Sequence, residues 1–201
     1  MDSLRKTLLP PAVDSVESNA YRLCHELMRM GRFEDAAFAA RSLTPTELSS
    51  LDCDGNNLLH HAAASGSLEL VEVVMDGLNS PDEIATRSKQ GSALWIAMEG
   101  GHEEAACAIA QRVCAEHLLD IEKYGSTALD YARGRQLTGL QSIIIRKLST
   151  LADTLPANTL LRYQLLAQAT GCNQRDVARE IIASLDSKVD TVAWEPDTLC
   201  Q

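Results

Sequence analysis

The sequence predicts an all-α protein built from helix pairs that repeat along the chain. Glycines at 31, 66 and 101 are 35 residues apart, and Gly171 lies two further steps on, with Gln136 at the position between. The same step separates three leucines and four alanines: Leu59, Leu94 and Leu129, and Ala62, Ala97, Ala132 and Ala167. A fixed period of roughly 20 to 50 residues is typical of stacked repeat arrays. Aromatic residues make up only 4% of the 201 residues, which favours thin, closely packed helices over an aromatic-filled β core.

The 35-residue register divides the chain into five units between two tails. We expect tails at 1–16 and 187–201 and an array over 17–186, with units at about 17–51, 52–86, 87–121, 122–156 and 157–186. The first and fifth units have a helix–glycine–helix pattern around Gly31 and Gly171 but no clear turn motif. Atypical end units are expected because the ends of an array must cover its apolar faces with polar ones.

The three middle units each contain a turn-forming segment, a short apolar helix and a second helical stretch. We expect the second helices at Leu68 to Met75, Glu103 to Cys114 and Leu137 to Leu148. A glycine ends the first helix in the second and third units, but not in the fourth. The segments 44–47 and 80–83 both read S/T-P-x-E, which predicts a capping box with proline at the first helical position and hence an extra helical turn.

These middle units resemble the ankyrin repeat, whose pattern is D-x-x-G-x-T-P-L-H-x-A-A-x-x-G-H. The matching residues are Asp52, Gly55, Leu59, His60, Ala62, Ala63 and Gly66, then Ser92, Leu94, Ala97, Gly101 and His102, then Gly125, Thr127, Leu129 and Ala132. The resemblance implies an ankyrin-repeat solenoid of stacked antiparallel helix pairs with β-turn fingers, here with a period of 35. It also implies that His60 makes structural hydrogen bonds within its turn. Trp95 stands where the third unit would have that histidine, and it either packs between repeats or widens an exposed surface.

The sequence offers little for catalysis or for a cofactor. It contains no G-x-x-x-x-G-K-S/T, G-x-G-x-x-G or G-x-S-x-G motif. Its six cysteines form no C-x-x-C pair, so we expect no metal ion and a reducing compartment. An enzyme with an unusual site near Cys24, His25 or Cys114 remains the competing class.

Charge is unevenly distributed along the chain. The net charge of −10 disfavours nonspecific binding to nucleic acid. Residues 42–86 contain eight acidic residues and no Lys or Arg, whereas residues 123–147 contain five Lys or Arg and one Asp. These stretches are either solvated faces or, for 42–86, a surface for a partner with a basic patch.

Carried over by register, the finger tips and the exposed side of each first helix would form a concave binding face. The residues we expect to contact a partner are Asp54, Asn56, Ser65, Ser88, Lys89, Glu99, Lys123, Tyr124, Ser126 and Arg135. Tyr124 and Arg135 are the first choices, because Tyr and Arg are enriched in interface hot spots. The alternative for Tyr124 is that it packs across its own finger.

The sequence therefore predicts a non-enzymatic module that binds one protein partner as a monomer. A stoichiometric inhibitor, an immunity protein or a host-directed bacterial effector of ankyrin type is a narrower alternative, and a structural homo-oligomer is another. No apolar run reaches the roughly 18 residues that span a bilayer, and the first residues lack the apolar segment of a secretory signal. We expect a cytoplasmic protein without a membrane partner, with secretion by a signal-less route left open.

Overall fold

The computed structural model describes residues 19–120, 122, 125–154 and 179, with residues 152–154 as backbone only. This part of the chain is mostly helical, as predicted. The helices are α1 (Asn19–Arg29), α2 (Phe33–Ala40), α3 (Pro45–Ser49), α4 (Leu58–Ser65), α5 (Leu68–Gly77), α6 (Pro81–Ile84), α7 (Ala93–Gly100), α8 (Glu103–Arg112), α9 (Ala128–Gly134) and α10 (Thr138–Thr154). A 3₁₀ helix (Ala115–Leu119), which the sequence did not predict, follows α8.

The helices pack in two columns. In the first column α1 contacts α4, α4 contacts α7, and α7 contacts α9. In the second column α2 contacts α5, α5 contacts α8, and α8 contacts α10. Each first-column helix also contacts the second-column helix that follows it in sequence, and the buried apolar side chains join into one cluster. Neighbouring helix pairs therefore bury their apolar sides against each other.

Local signals explain where the first-column helices begin and end. Asn57 starts α4 with a capping box, in which the His60 N–H donates to Asn57 Oδ1 at 3.2 Å and the Asn57 N–H donates to His60 Nδ1 at 3.1 Å. Gly66 and Gly101 end α4 and α7 in the left-handed conformation, which glycine adopts without a steric penalty. Gln136 takes the same conformation, with φ 60°, at the position where the glycine series is broken.

The two predicted extra turns form as α3 and α6. Thr44 and Glu47 make the complete reciprocal capping box at the start of α3. At α6 only half of the box forms: Ser80 Oγ accepts from the Glu83 N–H at 3.3 Å, while the Glu83 carboxylate accepts from the Asn79 N–H at 2.7 Å. The two extra turns were therefore predicted correctly. The second capping box was predicted wrongly, because the Glu83 carboxylate accepts from the Asn79 N–H and not from the Ser80 N–H.

The loop before α7 is a small antiparallel hairpin, β1 (Arg87–Ser88) and β2 (Gly91–Ser92), with Arg87 opposite Ser92. No helix among the described residues is long and apolar enough to cross a membrane. The fifth unit at 157–186, apart from residue 179, and both predicted tails lie outside the described residues.

Candidate functional site

The loop before α4 is organised around one carboxylate. Asp52 Oδ1 accepts from the N–H groups of Asp54 and Asn56, both at 2.8 Å, and Asp52 Oδ2 lies 3.0 Å from Nε2 of His61. Partial burial of Asp52 acts to raise its pKa, but the hydrogen bonds from Asn56, Asp54 and His61 outweigh it and lower the pKa to about 2. This loop is therefore held in one conformation by its own side chains.

Neighbouring loop tips are joined to each other. Lys89 Nζ donates to Asp54 Oδ1 and to the Cys53 carbonyl, each at 3.0 Å, and the Lys89 N–H donates to the Asp54 carbonyl at 3.1 Å. The hydrogen bond and the charge of Asp54 raise the pKa of Lys89. Ser88 Oγ donates to the Gly91 carbonyl within the hairpin at 3.0 Å. Three of the predicted binding residues, Asp54, Ser88 and Lys89, thus lie together on one linked pair of tips.

The ends of the first-column helices carry the next predicted residues. Ser65 is half-buried, and its hydroxyl donates to the Ala62 carbonyl at 2.7 Å. Glu99 is half-buried near the end of α7, and Ser126 is half-buried just before α9. The Ser126 carbonyl accepts from the Glu122 N–H at 2.9 Å, which closes the loop in front of α9.

Arg135 is exposed at the end of α9 and contacts an aromatic stack. Its guanidinium donates to the Tyr131 hydroxyl at 2.9 Å, and its Cζ lies 5.4 Å from the centre of the Tyr131 ring. That ring in turn lies 4.5 Å from the ring of Trp95, which is fully buried. The packing alternative for Trp95 is therefore confirmed, and the buried ring supports a half-exposed Tyr–Arg pair on the surface.

The burial of Asn56 contradicts one of the sequence predictions. Its side chain is only 5% exposed, and its Nδ2 donates to Asp52 Oδ2 at 3.2 Å inside the loop. We therefore no longer expect Asn56 to contact a partner directly, because its amide supports the loop from within. Lys123 and Tyr124 lie outside the described residues.

Sequence reasoning missed two groups on this face. One is Tyr131, whose spacing of four residues from Arg135 on a helix was the available signal. The other is a ring cluster at the N-terminal end, where His25 lies 4.8 Å from Tyr21 and 4.7 Å from His61, between ring centres. The Tyr21–His25 contact has the same four-residue spacing on α1, whereas the His25–His61 contact joins two units, so no local spacing predicts it.

At least three of the eight acidic residues in 42–86 are paired with a Lys or Arg from a neighbouring unit. Arg41 reaches Glu69 at 3.2 Å, Lys89 reaches Asp54, and Arg112 contacts Asp76. His117 lies 3.4 Å from Asp82. The surface formed by this stretch is therefore less acidic than the run of acidic residues in the sequence suggests.

Two of the residues considered for chemistry, His60 and Cys24, make hydrogen bonds within the fold. His60 makes hydrogen bonds within its turn, as predicted, and its burial lowers its pKa, so the ring is neutral near pH 7. Cys24 is buried, its Sγ–H donates to the Ala36 carbonyl at 3.4 Å, and burial raises its pKa to about 11. A thiol with so high a pKa is a poor nucleophile.

Within the described residues, no three His, Cys, Asp or Glu side chains come together in a way that could hold a metal ion. Comparison of the sequence with models of known protein families finds no match, and comparison with curated proteins finds no significant relative.

Proposed function

We propose that the chain is a non-enzymatic, ankyrin-type repeat array that binds a protein partner through its loop tips and first-column helices. The observation that carries this is that the first-column side presents a linked pair of loop tips, at Asp54 and Lys89, together with the Arg135–Tyr131 pair at the end of α9; we call these residues the partner-binding row. Hydrogen bonds within the protein hold the residues of this row in place, so the surface is formed before a partner binds. A preorganised surface loses less entropy on binding.

The ankyrin-type assignment is supported by contacts that recur at the sequence period. Lys89 and Asp54 are 35 residues apart, as are His117 and Asp82, and Arg112 and Asp76 are 36 apart. Such contacts join equivalent positions of successive units, as a stacked array requires. The capping box of His60 and the left-handed glycine ends of α4 and α7 agree with the same motif.

The Arg135–Tyr131 pair is the best candidate for the energetic centre of the interface. Tyr and Arg side chains dominate hot spots when they are fixed in place and lose water on binding. Here the buried Trp95 ring holds Tyr131, and Tyr131 holds the Arg135 guanidinium. At least three of the eight carboxylates in 42–86 are already paired with a Lys or Arg, so we place the centre of the interface at the Arg135–Tyr131 pair and not on this stretch.

The test is quantitative affinity capture followed by binding measurements with the purified partner. Wild type is compared with a Tyr131→Ala, Arg135→Ala double variant and with Arg133→Ala, an exposed arginine on the same helix. We expect the double variant to lose at least about 2 kcal/mol of binding free energy, roughly thirtyfold in Kd, and Arg133→Ala to lose far less. Equal affinity of the double variant and wild type would show that this end of the face is not the binding centre. An isolated chain that retains turnover of a substrate would overturn the non-enzymatic assignment.

A further inference from the structure

The N-terminal end of the two columns exposes side chains whose equivalents in the later described units are buried or partly buried. Leu23 is 54% exposed, whereas the residues 35, 70 and 105 positions later, Leu58, Ala93 and Ala128, are buried. Phe38 is 76% exposed, whereas its equivalents Val73, Ala108 and Ile143 are partly buried against the core. Each of those later units has a described unit stacked on its N-terminal side.

This end combines a hollow with a protruding ring. A groove of about 610 Å³ lies between α1 and α2, and apolar side chains including Ala20, Leu23 and Leu27 line it. The exposed Phe38 side chain is also part of its lining. One surface therefore holds both an aromatic knob and an apolar hole, which is what a two-fold contact between identical surfaces needs.

The charges at the edge of the groove are also self-complementary. Arg32 and Asp35 form an exposed ion pair at 2.6 Å beside the groove, so both signs lie next to each other. Two copies related by a two-fold axis can place Arg32 of one near Asp35 of the other. A surface of one sign would instead repel its own copy.

We propose that this N-terminal face is a dimerisation surface, in which the Phe38 ring of each copy enters the α1–α2 groove of the other. A large exposed apolar patch on a folded chain marks an interaction site, and the chemistry here fits a second copy of this chain. This proposal concerns a different face from the partner-binding row and does not depend on it. It replaces the expectation of a monomer.

The expected dimer is weak. The eleven residues of α1 make a helix about 16 Å long, and two helices side by side are about 20 Å wide. A face of this size is at or below the small end of specific interfaces, which bury about 1,200 Å² or more in total. We therefore expect a dissociation constant in about the micromolar to millimolar range.

Sedimentation equilibrium of the full chain tests this over about 5 μM to 1 mM, the range in which such a dimer would dissociate. Wild type is compared with Phe38→Glu and Leu23→Ser, and Met30→Glu is the matched control, since Met30 is 66% exposed but does not line the groove. We expect Phe38→Glu to weaken dimerisation at least about tenfold, and Met30→Glu to leave it within about twofold, because each tenfold step corresponds to about 1.4 kcal/mol. Circular dichroism confirms that each variant is folded.

A second measurement locates the contact. In a mixture of differently labelled copies, isotope-filtered NMR should show contacts between the Phe38 ring of one copy and the Leu23 methyl groups of the other. A chain that stays monomeric throughout the concentration range overturns the proposal, whether its own residues 1–18 or a different protein covers the face. Dimerisation that is equally strong in Phe38→Glu, or equally weakened in Met30→Glu, overturns the proposed interface.

Discussion

At the residue scale, Asp52 decides the shape of the loop before α4. Its carboxylate accepts from two backbone N–H groups and from the Asn56 amide. Hydrogen bonds to a charged carboxylate stabilise more than neutral ones. The low pKa of about 2 has the same origin, because protonation would remove the acceptor that these groups share.

We predict that Asp52→Ala lowers the free energy of unfolding by about 1–3 kcal/mol at pH 7, the usual cost of leaving buried donors without an acceptor. Asp54→Ala, which removes only an exposed ion pair with Lys89, should cost much less. The folded pKa of Asp52 lies below its ordinary value of 3.8, so its stabilising effect is complete above about pH 4 and is lost as the pH falls through about 2. Chemical denaturation at pH 7, 4 and 2 measures this. A difference between wild type and Asp52→Ala that stays constant down to pH 2 would contradict it.

Two glycines with the same backbone conformation provide a second test at this scale. Gly66 and Gly101 have φ of 73° and 77°, but a Cβ on Gly66 would overlap the His102 ring, whereas nothing lies within 4 Å of one on Gly101. Gly101→Ala should cost about 1 kcal/mol for the left-handed conformation alone. Gly66→Ala should cost about 1–3 kcal/mol more, because the His102 ring must also move. Equal losses in thermal or chemical denaturation would show that the ring yields freely.

At the element scale, α8 ends on a cation supplied by α10. Lys147 Nζ donates to the carbonyls of Ala110 at 3.0 Å and Gln111 at 2.8 Å, and it also contacts the Val113 carbonyl. The last carbonyls of a helix have no partner within the helix, and a cation at that end also suits the helix dipole. Burial lowers the pKa of Lys147. One side chain therefore both ends α8 and attaches α10 to it.

Lys147→Met keeps the apolar stem but removes all of these hydrogen bonds. We predict a loss of about 1–3 kcal/mol in unfolding free energy, since the carbonyls are left unsatisfied. Hydrogen exchange should quicken in the last turn of α8 before it changes in α4 or α5. The control Arg133→Met, at an exposed position, should stay within about 0.5 kcal/mol of wild type. Exchange that quickens uniformly along the chain would argue against a local cap.

At the scale of the whole molecule, stability depends on contacts between neighbouring units. The helices of each column contact in sequence order, and one buried cluster extends through them. The exposed ion pairs between units add little each. Burial at the junctions therefore dominates, and Trp95 is the largest buried side chain at the junction of α7 and α9.

We predict that Trp95→Ala costs about 3–5 kcal/mol, as for other large buried side chains. Because units are stabilised by their neighbours, hydrogen exchange should quicken in α9 and α10 as well as in α7. Leu119→Ala, at a partly exposed position, is the matched control and should change little. A loss below 1 kcal/mol, or an effect confined to α7, would contradict the importance of this junction.

Much of the fold follows from short-range sequence signals. The predicted bounds of the second helices agree with α5 and α8 to within two residues, whereas α10 ends at Thr154, six residues beyond its predicted end at Leu148. The structural role of His60 was predicted from the resemblance to the ankyrin repeat, and its capping partner Asn57 lies only three residues away. These features depend on the backbone chemistry of a few consecutive residues, so they can be inferred without a tertiary structure.

Only the tertiary structure shows which residues are exposed, buried or paired. Stacking brings Arg41, Lys89 and Arg112 onto the acidic stretch, buries Asn56, and places Trp95 under the Tyr131–Arg135 pair. It also leaves Leu23 and Phe38 exposed at one end, although the equivalents of Leu23 are buried and those of Phe38 are partly buried. By itself the sequence determined the repeat and its helices, because those depend on local propensity and period. Pairing, burial and exposure were decided by contacts between residues some 35 positions apart, whose partners no local pattern specifies.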